Sequence, residues 1–454
     1  MKNIKLSICM MVKNEEENLK SYLPSLKPLL KDSSVELIIV DTGSTDDSKK
    51  IAAEYTDLIF DKKWNNNFSE MRNYSISKAR GEWIFIIDAD EQLIGAEGLF
   101  NVLMNPSTKG FMTIQIGVRN FTYKESNLYS TMVSPRLFKN DNEFKYIGSV
   151  HNQPNFKTPI LNITDVYINH YGYVRDDQEL MERKFQRTAQ MLEKELEKNP
   201  NNVYYRFQLA QSYGLHGENH KAFDQIEIAY SLLKSKEEKT AKLYIFGVYA
   251  NLAYVLEEHE KNINICKEGL AISNEYIDLY YYLASSMQKT ALYKEAKIAF
   301  EQYFRLLNNQ ETLEIAKSSA MEFHKIDEGS ITVAAYKYVD LLLEDSSDLN
   351  RAMKYINLIN DDYFKYEQLI KYYIIAEEFK KINQCLCDLI NTKIYDIVVN
   401  TIETYKRKLT TEKIEQLHKE LSIGDDIYHY VNKIRSSQST EEKLDNLAKF
   451  FNKG

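Results

Sequence analysis

Residues 84–91 read Ile84-Phe85-Ile86-Ile87-Asp88-Ala89-Asp90-Glu91. Consecutive apolar residues without alternation are typical of a strand that is buried on both faces of a parallel sheet. Two carboxylates separated by one residue follow this strand at its carboxyl end, where parallel α/β sheets bind ligands. Such a pair can bind one divalent cation through hard oxygen ligands. A pair that caps the next helix is the alternative interpretation.

The strands upstream repeat this pattern and predict an α/β domain. Leu6–Val12 and residues 35–40 are apolar runs, and Asp41 closes the second of them. Helical stretches separate the runs, including one predicted from Thr45, so the sheet is expected to be parallel with helices on both faces. After Gly110 the strands alternate in polarity, which predicts an antiparallel or mixed extension of the same sheet. The expected class is an α/β, Rossmann-like mixed sheet with flanking helices.

From about Asp177 onward the sequence is helical and repeats itself. Small and large apolar residues recur at the spacing of a tetratricopeptide repeat, in which small residues let paired helices approach closely. The clearest copy comprises Tyr205, Leu209, Ala210, Tyr213, Gly217, Ala222, Ile226 and Ala229. A generic helical bundle is the alternative. We therefore predict three domains: residues 1–175 as the catalytic domain, 176–308 as tetratricopeptide-like repeats, and 309–454 as a C-terminal helical repeat or bundle region.

Composition narrows the class of protein further. The 454-residue chain has a formal net charge of −8 and no basic stripe, so a nucleic-acid partner is not expected. Arg183, Lys184 and Arg187 form a local basic cluster, which we interpret as a solvated helix face. Four scattered cysteines and the lack of a long apolar run predict a reduced, cytoplasmic protein without a membrane span. Abundant Lys, Asn, Ile and Tyr would suit a bacterial source.

Four blocks of the N-terminal sequence resemble the family-2 glycosyltransferases of the GT-A fold. The blocks, in order, are Ser7-Ile8-Cys9-Met10-Met11-Val12-Lys13-Asn14-Glu15-Glu16, Ile38-Ile39-Val40-Asp41-Thr42-Gly43-Ser44-Thr45-Asp46, Trp64-Asn65 with Phe68-Ser69-Glu70-Met71-Arg72-Asn73, and Asp88-Ala89-Asp90-Glu91. The resemblance continues, less sharply, through Gly148-Ser149-Val150-His151 and His170-Tyr171-Gly172-Tyr173. With its helical tail the chain is similar to a bacterial subgroup that includes the sublancin-type peptide S-glycosyltransferases.

The resemblance implies a role for residues in each block. Asp41 would accept a hydrogen bond from the nucleotide base, and Asn14 and Glu15 would line the same pocket. Arg72 would contact the diphosphate or hold Asp88 in place.

A metal ion, Mn²⁺ or Mg²⁺, is implied by the same resemblance. Asp90 would bind it together with Asp88, and His170 would be the third protein ligand. For His170, a side chain at the edge of the core with a backbone hydrogen bond is the alternative.

The base that removes the acceptor's proton is the least determined residue. Related enzymes often have His-Glu where this chain has His151-Asn152. His151 is then the first candidate for the base and Glu91 the second.

The function expected from these features is metal-dependent transfer of a hexose, with inversion, from a UDP-sugar to a peptide or protein. A transferase acting on polysaccharide or cell-surface glycan is the alternative within enzymes. A helical-repeat scaffold that only senses a sugar nucleotide is the non-enzymatic alternative. A homodimer through the C-terminal helices is also expected, because a solenoid end with exposed apolar faces needs a cap or a partner.

Overall fold

A computed structural model describes residues 3–121, 128–172, 178–344, 348–389 and 392–422. These residues form two compact units. Unit 1 comprises the described residues up to Leu292 together with Glu301–Asp327, and unit 2 comprises Tyr293–Phe300 and the described residues from Glu328 onward. The predicted domain boundary at residue 175 lies outside the described residues. So do the last 32 residues of the predicted C-terminal region, which is the region expected to form the dimer. The three-domain division therefore stays a prediction.

Unit 1 contains a mixed sheet of nine strands and a separate two-stranded hairpin. The strands are β1 (Leu6–Val12), β2 (Val35–Asp41), β3 (Ile59–Asp61), β4 (Trp83–Ile86), β5 (Glu91–Ile94), β6 (Thr113–Phe121), β7 (Tyr129–Lys139), β8 (Tyr146–Ile147), β9 (Gln153–Pro154), β10 (Ile160–His170) and β11 (Glu322–Phe323). Their order in the large sheet is β3-β2-β1-β4-β7-β6-β10-β5, with β11 added to β7, and β8 and β9 form the hairpin.

Helices flank the sheet and make up the chain that follows it. They are α1 (Glu16–Tyr22), α2 (Lys27–Leu30), α3 (Ser48–Ala52), α4 (Phe68–Ile76), α5 (Ala96–Met104), α6 (Gln178–Lys198), α7 (Val203–His216), α8 (Asn219–Ser231), α9 (Lys236–Ala241), α10 (Tyr244–Val255), α11 (His259–Ile272), α12 (Ile277–Lys289), α13 (Tyr293–Leu307), α14 (Glu328–Leu343), α15 (Leu349–Ile356), α16 (Asp362–Ile375), α17 (Phe379–Leu389), α18 (Tyr395–Tyr405) and α19 (Thr411–Ser422). Short 3-10 turns occur at Leu23–Leu26, Pro106–Gly110, Gln310–Thr312, Ile315–Lys317 and Lys406–Lys408.

The apolar run that precedes the acidic pair is buried on both faces, as predicted. Ile84 and Ile86 pack with Cys9 on one side of the sheet. Phe85 and Ile87 enter the larger core on the other side. The side chains of a strand alternate between faces, so one apolar run without alternation supplies two separate cores. This strand pairs in parallel with β1, which pairs in parallel with β2, and the predicted α/β mixed sheet is confirmed.

The mixed extension of the sheet contains a strand that the sequence did not predict. β7 is antiparallel to β4 and to β6, whereas β10 is parallel to β6. β5 follows the acidic pair and is antiparallel to β10. With four residues of mixed polarity, β5 has no periodic signal, and only its pairing with a distant strand identifies it.

The helix predicted from Thr45 begins three residues later, at Ser48. The cause is competition for backbone N–H groups by acidic and amide side chains. The Asp41 carboxylate accepts from the N–H groups of Gly43 and Ser44, each at 2.9 Å. Asn14 Oδ1 accepts from the N–H of Thr45 at 2.7 Å. These bonds hold residues 43–45 as a loop beside the ends of β1 and β2.

The repeat pattern is confirmed as antiparallel helix pairs. α7 and α8 contact each other along their length, α10 packs with α11, and α11 with α12. The predicted small residues Ala210, Ala222 and Ala229 are fully buried, which allows the close approach of paired helices. Gly217 ends α7 in the left-handed conformation, with φ of 88°. In the described part of the chain, no helix has both the length and the apolar character needed to cross a membrane.

Gly81 provides a test of the packing beneath β1. A Cβ atom at this position would lie 2.6 Å from the backbone N of Ser7 and 2.8 Å from the carbonyl carbon of Leu6. Backbone atoms in a sheet cannot move aside, so Gly81→Ala should lower the free energy of unfolding by about 1–3 kcal/mol. Urea unfolding followed by tryptophan fluorescence measures this in unit 1, since both tryptophans, Trp64 and Trp83, belong to it.

Gly110→Ala is the matched control, because a Cβ atom there would meet nothing within 4 Å and the φ of Gly110 is not positive. Its unfolding midpoint should stay close to that of the unchanged protein. Equal midpoints for the two variants would contradict the proposed clash.

Candidate active site

The residues singled out by the sequence meet at the carboxyl ends of three neighbouring parallel strands. Asp41 is the last residue of β2, and Asn14 and Glu15 follow β1. Asp88 and Asp90 follow β4 on the other side of β1. One edge of the sheet therefore has acidic groups from three loops, in the place where open α/β sheets bind their ligands.

Asp41 is a buried carboxylate with one oxygen unused. The residue is only 2% exposed. Oδ1 accepts two backbone N–H groups, whereas Oδ2 accepts no hydrogen bond from any part of the chain that the structure describes. An unpartnered buried oxygen costs free energy unless a ligand supplies a donor. Asp41 thus fits the predicted acceptor of a hydrogen bond from a nucleotide base.

Asn14 lies in the predicted pocket, where its side chain holds two loops together. Its Oδ1 accepts from the Thr45 N–H, and its own N–H donates to Ser44 Oγ at 3.0 Å. Its φ of 55° is in the left-handed region, which asparagine tolerates better than most residues. The geometry therefore favours a role for Asn14 in shaping the pocket.

Glu15 lies close to the acidic pair rather than apart from it. Burial raises the pKa of its carboxyl to about 7, and the nearby charge of Asp90 acts in the same direction, against a hydrogen bond from Asn18. Asn18 Nδ2 donates to this carboxylate at 2.7 Å. A carboxyl with this pKa is partly protonated at neutral pH, so its charge depends on what else occupies the site.

Asp88 is held by an arginine. Arg72 Nη2 donates to Asp88 Oδ2 at 2.9 Å, and the guanidinium lies over the Tyr146 ring, 5.2 Å from its centroid. Burial acts to raise the pKa of Asp88, but the charge of Arg72 outweighs it, and the pKa is lowered. Of the two roles expected for Arg72, the structure shows the contact that fixes Asp88.

Asp90 and His170 are brought together by β5. In the ladder between β5 and β10, His170 is opposite Glu91, the neighbour of Asp90 in sequence. His170 Nε2 lies 3.6 Å from Asp90 Oδ1. Burial opposes both charges, yet each charge stabilises the other. The pKa of Asp90 is held below its usual range and that of His170 is raised.

The predicted metal ligands fit a cation only in part. In the described ranges, no group of three or more His, Cys, Asp or Glu side chains is arranged to hold a metal ion. Asp90 and His170 are close enough to share one, but Asp88 Oδ2 is bound by Arg72. Mg²⁺ is usually bound through one or two carboxylates, with substrate phosphates and water completing the shell. Asp90 would supply the carboxylate of such a site, and His170 would add an imidazole, which is not a preferred ligand of Mg²⁺ or Mn²⁺.

Glu91 is occupied by structural contacts. The residue is 2% exposed, and Arg136 binds its two oxygens at 2.6 and 3.2 Å. Its Oε2 also accepts the N–H of Asp88 at 2.8 Å. These bonds give Glu91 a positioning role behind the acidic pair and leave it poorly placed to take a proton from an acceptor.

His151 lies in a loop that packs on the helical region. Its φ is 43°, and its carbonyl accepts from the hydroxyl of Tyr204 at 3.3 Å. The preceding Val150 joins the core made by α6 and α7. Burial lowers the pKa of the His151 imidazole to about 4, so the ring is neutral at physiological pH.

Lys184 of α6 is a site residue that the sequence did not predict. Its Nζ lies 3.9 Å from Asp90 Oδ2 and donates to the carbonyl of Gly172 at 3.4 Å. Arg187, one turn further on, lies over the Phe68 ring at 5.4 Å. The solvated face expected for the basic cluster is therefore wrong for Lys184. Residues 184 and 187 are three apart and share a helix face, which was the available signal.

Residues 7–157 match the family described as Glycosyl transferase family 2. This part of the chain is therefore a family-2 glycosyltransferase domain of GT-A-like fold, and tetratricopeptide-like helical repeats follow it. The chain is 29% identical to the SPbeta prophage-derived glycosyltransferase SunS of Bacillus subtilis, over 48% of this chain and 51% of that protein. It is 32% identical to a TPR repeat-containing protein of Synechococcus elongatus, over 44% of this chain and 50% of that protein. The chain thus spans about half the length of these curated relatives.

Among solved structures, S. aureus TarS 1-349 in complex with UDP-GlcNAc aligns with 63% of this chain and 92% of its own. The TM-score is 0.31 and the sequence identity is 14%. A similarity of this size carries no argument about the ligand or the reaction of this chain.

The raised pKa of Glu15 makes stability depend on pH. For a carboxyl whose folded-state pKa is raised, the stabilisation is complete below the ordinary pKa of 4.5 and is lost as pH rises through about 7. The glutamine of Glu15→Gln cannot ionise, so this loss does not occur in the variant. The free energy of unfolding of the variant, relative to that of the unchanged protein, should therefore increase by about 1–3 kcal/mol from pH 5 to pH 8. Thermal unfolding midpoints at both pH values measure the gain.

Glu17→Gln is the control, because the Glu17 side chain is 81% exposed. Its effect on the midpoint should be nearly the same at both pH values. A Glu15→Gln effect that is equally independent of pH would contradict the assignment.

Proposed function

We propose that the protein is an inverting glycosyltransferase that moves a hexose from a nucleotide sugar, with UDP as the nucleotide, to a peptide or protein. The observation that carries the proposal is the placement of Asp41 and the acidic pair on either side of β1. Two strand spacings separate them, roughly 10 Å. A nucleotide sugar extended across β1 would then have its base at Asp41 and its diphosphate near Asp88 and Asp90.

The side chains near the acidic pair suit a diphosphate leaving group. Asp90 and His170 would hold a Mg²⁺ or Mn²⁺ ion, which offsets the charge that develops on a departing nucleoside diphosphate. Lys184 adds a cation within 4 Å of Asp90. Arg72 and Arg136 fix Asp88 and Glu91, so the acidic pair keeps its position when the charge of the ligand changes.

The transfer also requires a group that removes the proton of the acceptor. His151 is neutral at physiological pH, but an imidazole whose conjugate acid has a pKa of about 4 is a weak base. A thiol acceptor, with an ordinary pKa of roughly 8.5, needs much less assistance than a hydroxyl. The site therefore suits a cysteine side chain better than a serine or a sugar hydroxyl.

The helical repeats support a polypeptide as the acceptor. Stacked helix pairs form extended concave surfaces, on which a peptide can bind along its length. Transfer to a polysaccharide or cell-surface glycan is the alternative, and a panel of acceptors decides between them. Slow hydrolysis of the donor without any acceptor separates an enzyme from a scaffold that only binds the nucleotide.

Metal-dependent donor binding is the first test of the proposal. UDP-, GDP- and dTDP-sugars, each with Mn²⁺, Mg²⁺ or EDTA, are compared for their effect on the thermal unfolding midpoint. We expect a shift with UDP-sugar that needs metal, together with slow release of UDP. Asp90→Ala should abolish the metal dependence and slow UDP release by about 100-fold or more.

Asp57→Ala is the control, because Asp57 is an exposed aspartate outside the site. It should behave like the unchanged protein. Full turnover in Asp90→Ala would show that the site is assigned wrongly. Absence of a shift with every donor would contradict both the transferase and the nucleotide-sensing scaffold.

Substitution of Lys184 tests whether α6 is part of the donor site. Removing a cation that contacts a phosphate costs about 1.5–3 kcal/mol, so Lys184→Ala should weaken donor binding by about 10- to 100-fold. Isothermal titration of UDP with Mn²⁺ measures the change. Lys194→Ala on the exposed face of the same helix is the control and should bind UDP normally. Equal affinities in the two variants would exclude Lys184 from the site.

A further inference from the structure

The short strand β11 joins a segment that follows the helix pairs to the sheet of the glycosyltransferase domain. Glu322 pairs with Met132 of β7, and Phe323 pairs with Thr131. Phe323 is 5% exposed and packs edge-on against Tyr276 at the start of α12, with ring centroids 5.8 Å apart. The strand is therefore fixed both by the sheet and by the repeats.

Asp278 fixes the same segment from the repeats. It is 1% exposed, and its two oxygens accept the backbone N–H groups of His324 and Lys325 at 2.8 and 3.0 Å. Two charge-assisted hydrogen bonds to consecutive N–H groups determine the course of the chain just after β11. The position of Glu322 is thus set by groups on both sides of it.

A row of side chains runs across the sheet from Glu322 to His170. Asn120 of β6 is opposite both His170 of β10 and Ser130 of β7. Glu322 Oε1 accepts from Asn120 Nδ2 at 2.9 Å, and it also accepts from the hydroxyl of Ser130. Asn120 Oδ1 lies 2.8 Å from His170 Nδ1. The row connects a carboxylate of the β11 segment to the imidazole beside Asp90.

This row determines which nitrogen of His170 has the proton. A carboxylate only accepts hydrogen bonds, so the Asn120 amide must turn its NH₂ group toward Glu322. Its carbonyl oxygen then faces His170 Nδ1, which must donate. In the neutral ring the lone pair is left on Nε2, the atom that lies 3.6 Å from Asp90.

We propose that Glu322 is a positioning residue that, through Asn120, fixes the Nδ1–H tautomer of His170 and so determines the state of the ring nitrogen, Nε2, that faces Asp90. The proposal rests on the proposed function only in treating His170 as part of the transfer site. The proposal makes the β11 segment necessary for the tautomer of His170, although β11 is more than 150 residues beyond His170 in sequence.

The direct test is long-range ¹H–¹⁵N NMR of the imidazole in the full chain. The signal is assigned by loss in His170→Asn, and spectra are recorded at a pH at which the ring is neutral. The unchanged protein should show the Nδ1–H tautomer. Glu322→Ala frees the amide to turn over and should shift the population toward Nε2–H. Glu322→Gln can present either a carbonyl oxygen or an NH₂ group to Asn120, so it should restore the original tautomer only in part.

Glu314→Ala is the matched control, since Glu314 is an exposed residue in the same segment and pairs with Lys317. Should Glu322→Ala fail to fold, Asn120→Leu tests the same row by removing the amide at similar volume. Retention of the original tautomer in Glu322→Ala, or in Asn120→Leu where that variant is needed, would overturn the proposal.

Affinity for metal is the second readout and is independent of turnover. Loss of a group that orients a metal-binding histidine typically weakens metal binding by about 10- to 100-fold. Titration of Mn²⁺ in the presence of UDP should show such a loss in Glu322→Ala and a smaller one in Glu322→Gln. If the protein transfers no sugar at all, the proposed function fails, but the tautomer measurement still decides the role of Glu322.

Discussion

The candidate site depends on two ion pairs at the point where β4 ends, one of them buried and the other half-buried. Arg72 holds Asp88, Arg136 holds Glu91, and Glu91 accepts the backbone N–H of Asp88. Removing one partner of a buried pair leaves an uncompensated charge, which is far more costly than losing a surface pair. The loop with Asp90 is therefore held in one geometry before any ligand arrives, and preorganised groups of this kind spend no energy on rearrangement when charge develops.

The same ion pairs explain why sequence reasoning succeeded for some residues and failed for others. Asp41 and Asp88 follow apolar runs that predict buried strands, and the end of a parallel strand is a place that sequence alone can recognise. The role of Glu91 depends on Arg136, which is 45 residues away, and nothing in the local pattern indicates that contact. Pairings between distant segments, such as those of β5 and β11, leave no periodic signal in so few residues.

On the proposed function, the helical repeats supply more than a surface for an acceptor. Within unit 1, α6 places Lys184 beside Asp90, and the loop with His151 is anchored by Val150 in the core between α6 and α7. β11 extends the sheet itself. A family-2 domain that contacts the following helices through Val150, Asp90 and β7 is not an independent module. If the proposed function holds, substitutions in these helices should change the chemistry as well as acceptor binding.

On the proposed function, the charges of the site link the metal to the donor. Besides Glu15 and His170, whose charges also act here, three carboxylates and three cations oppose one another around the acidic pair. They are Asp88, Asp90 and Glu91 on one side, and Arg72, Arg136 and Lys184 on the other. A diphosphate would add negative charge to this set in a partly buried site, where an uncompensated charge is costly. A divalent cation at Asp90 would offset that charge. On the proposed function, donor and metal should therefore bind with positive coupling, each being favourable where the other is present.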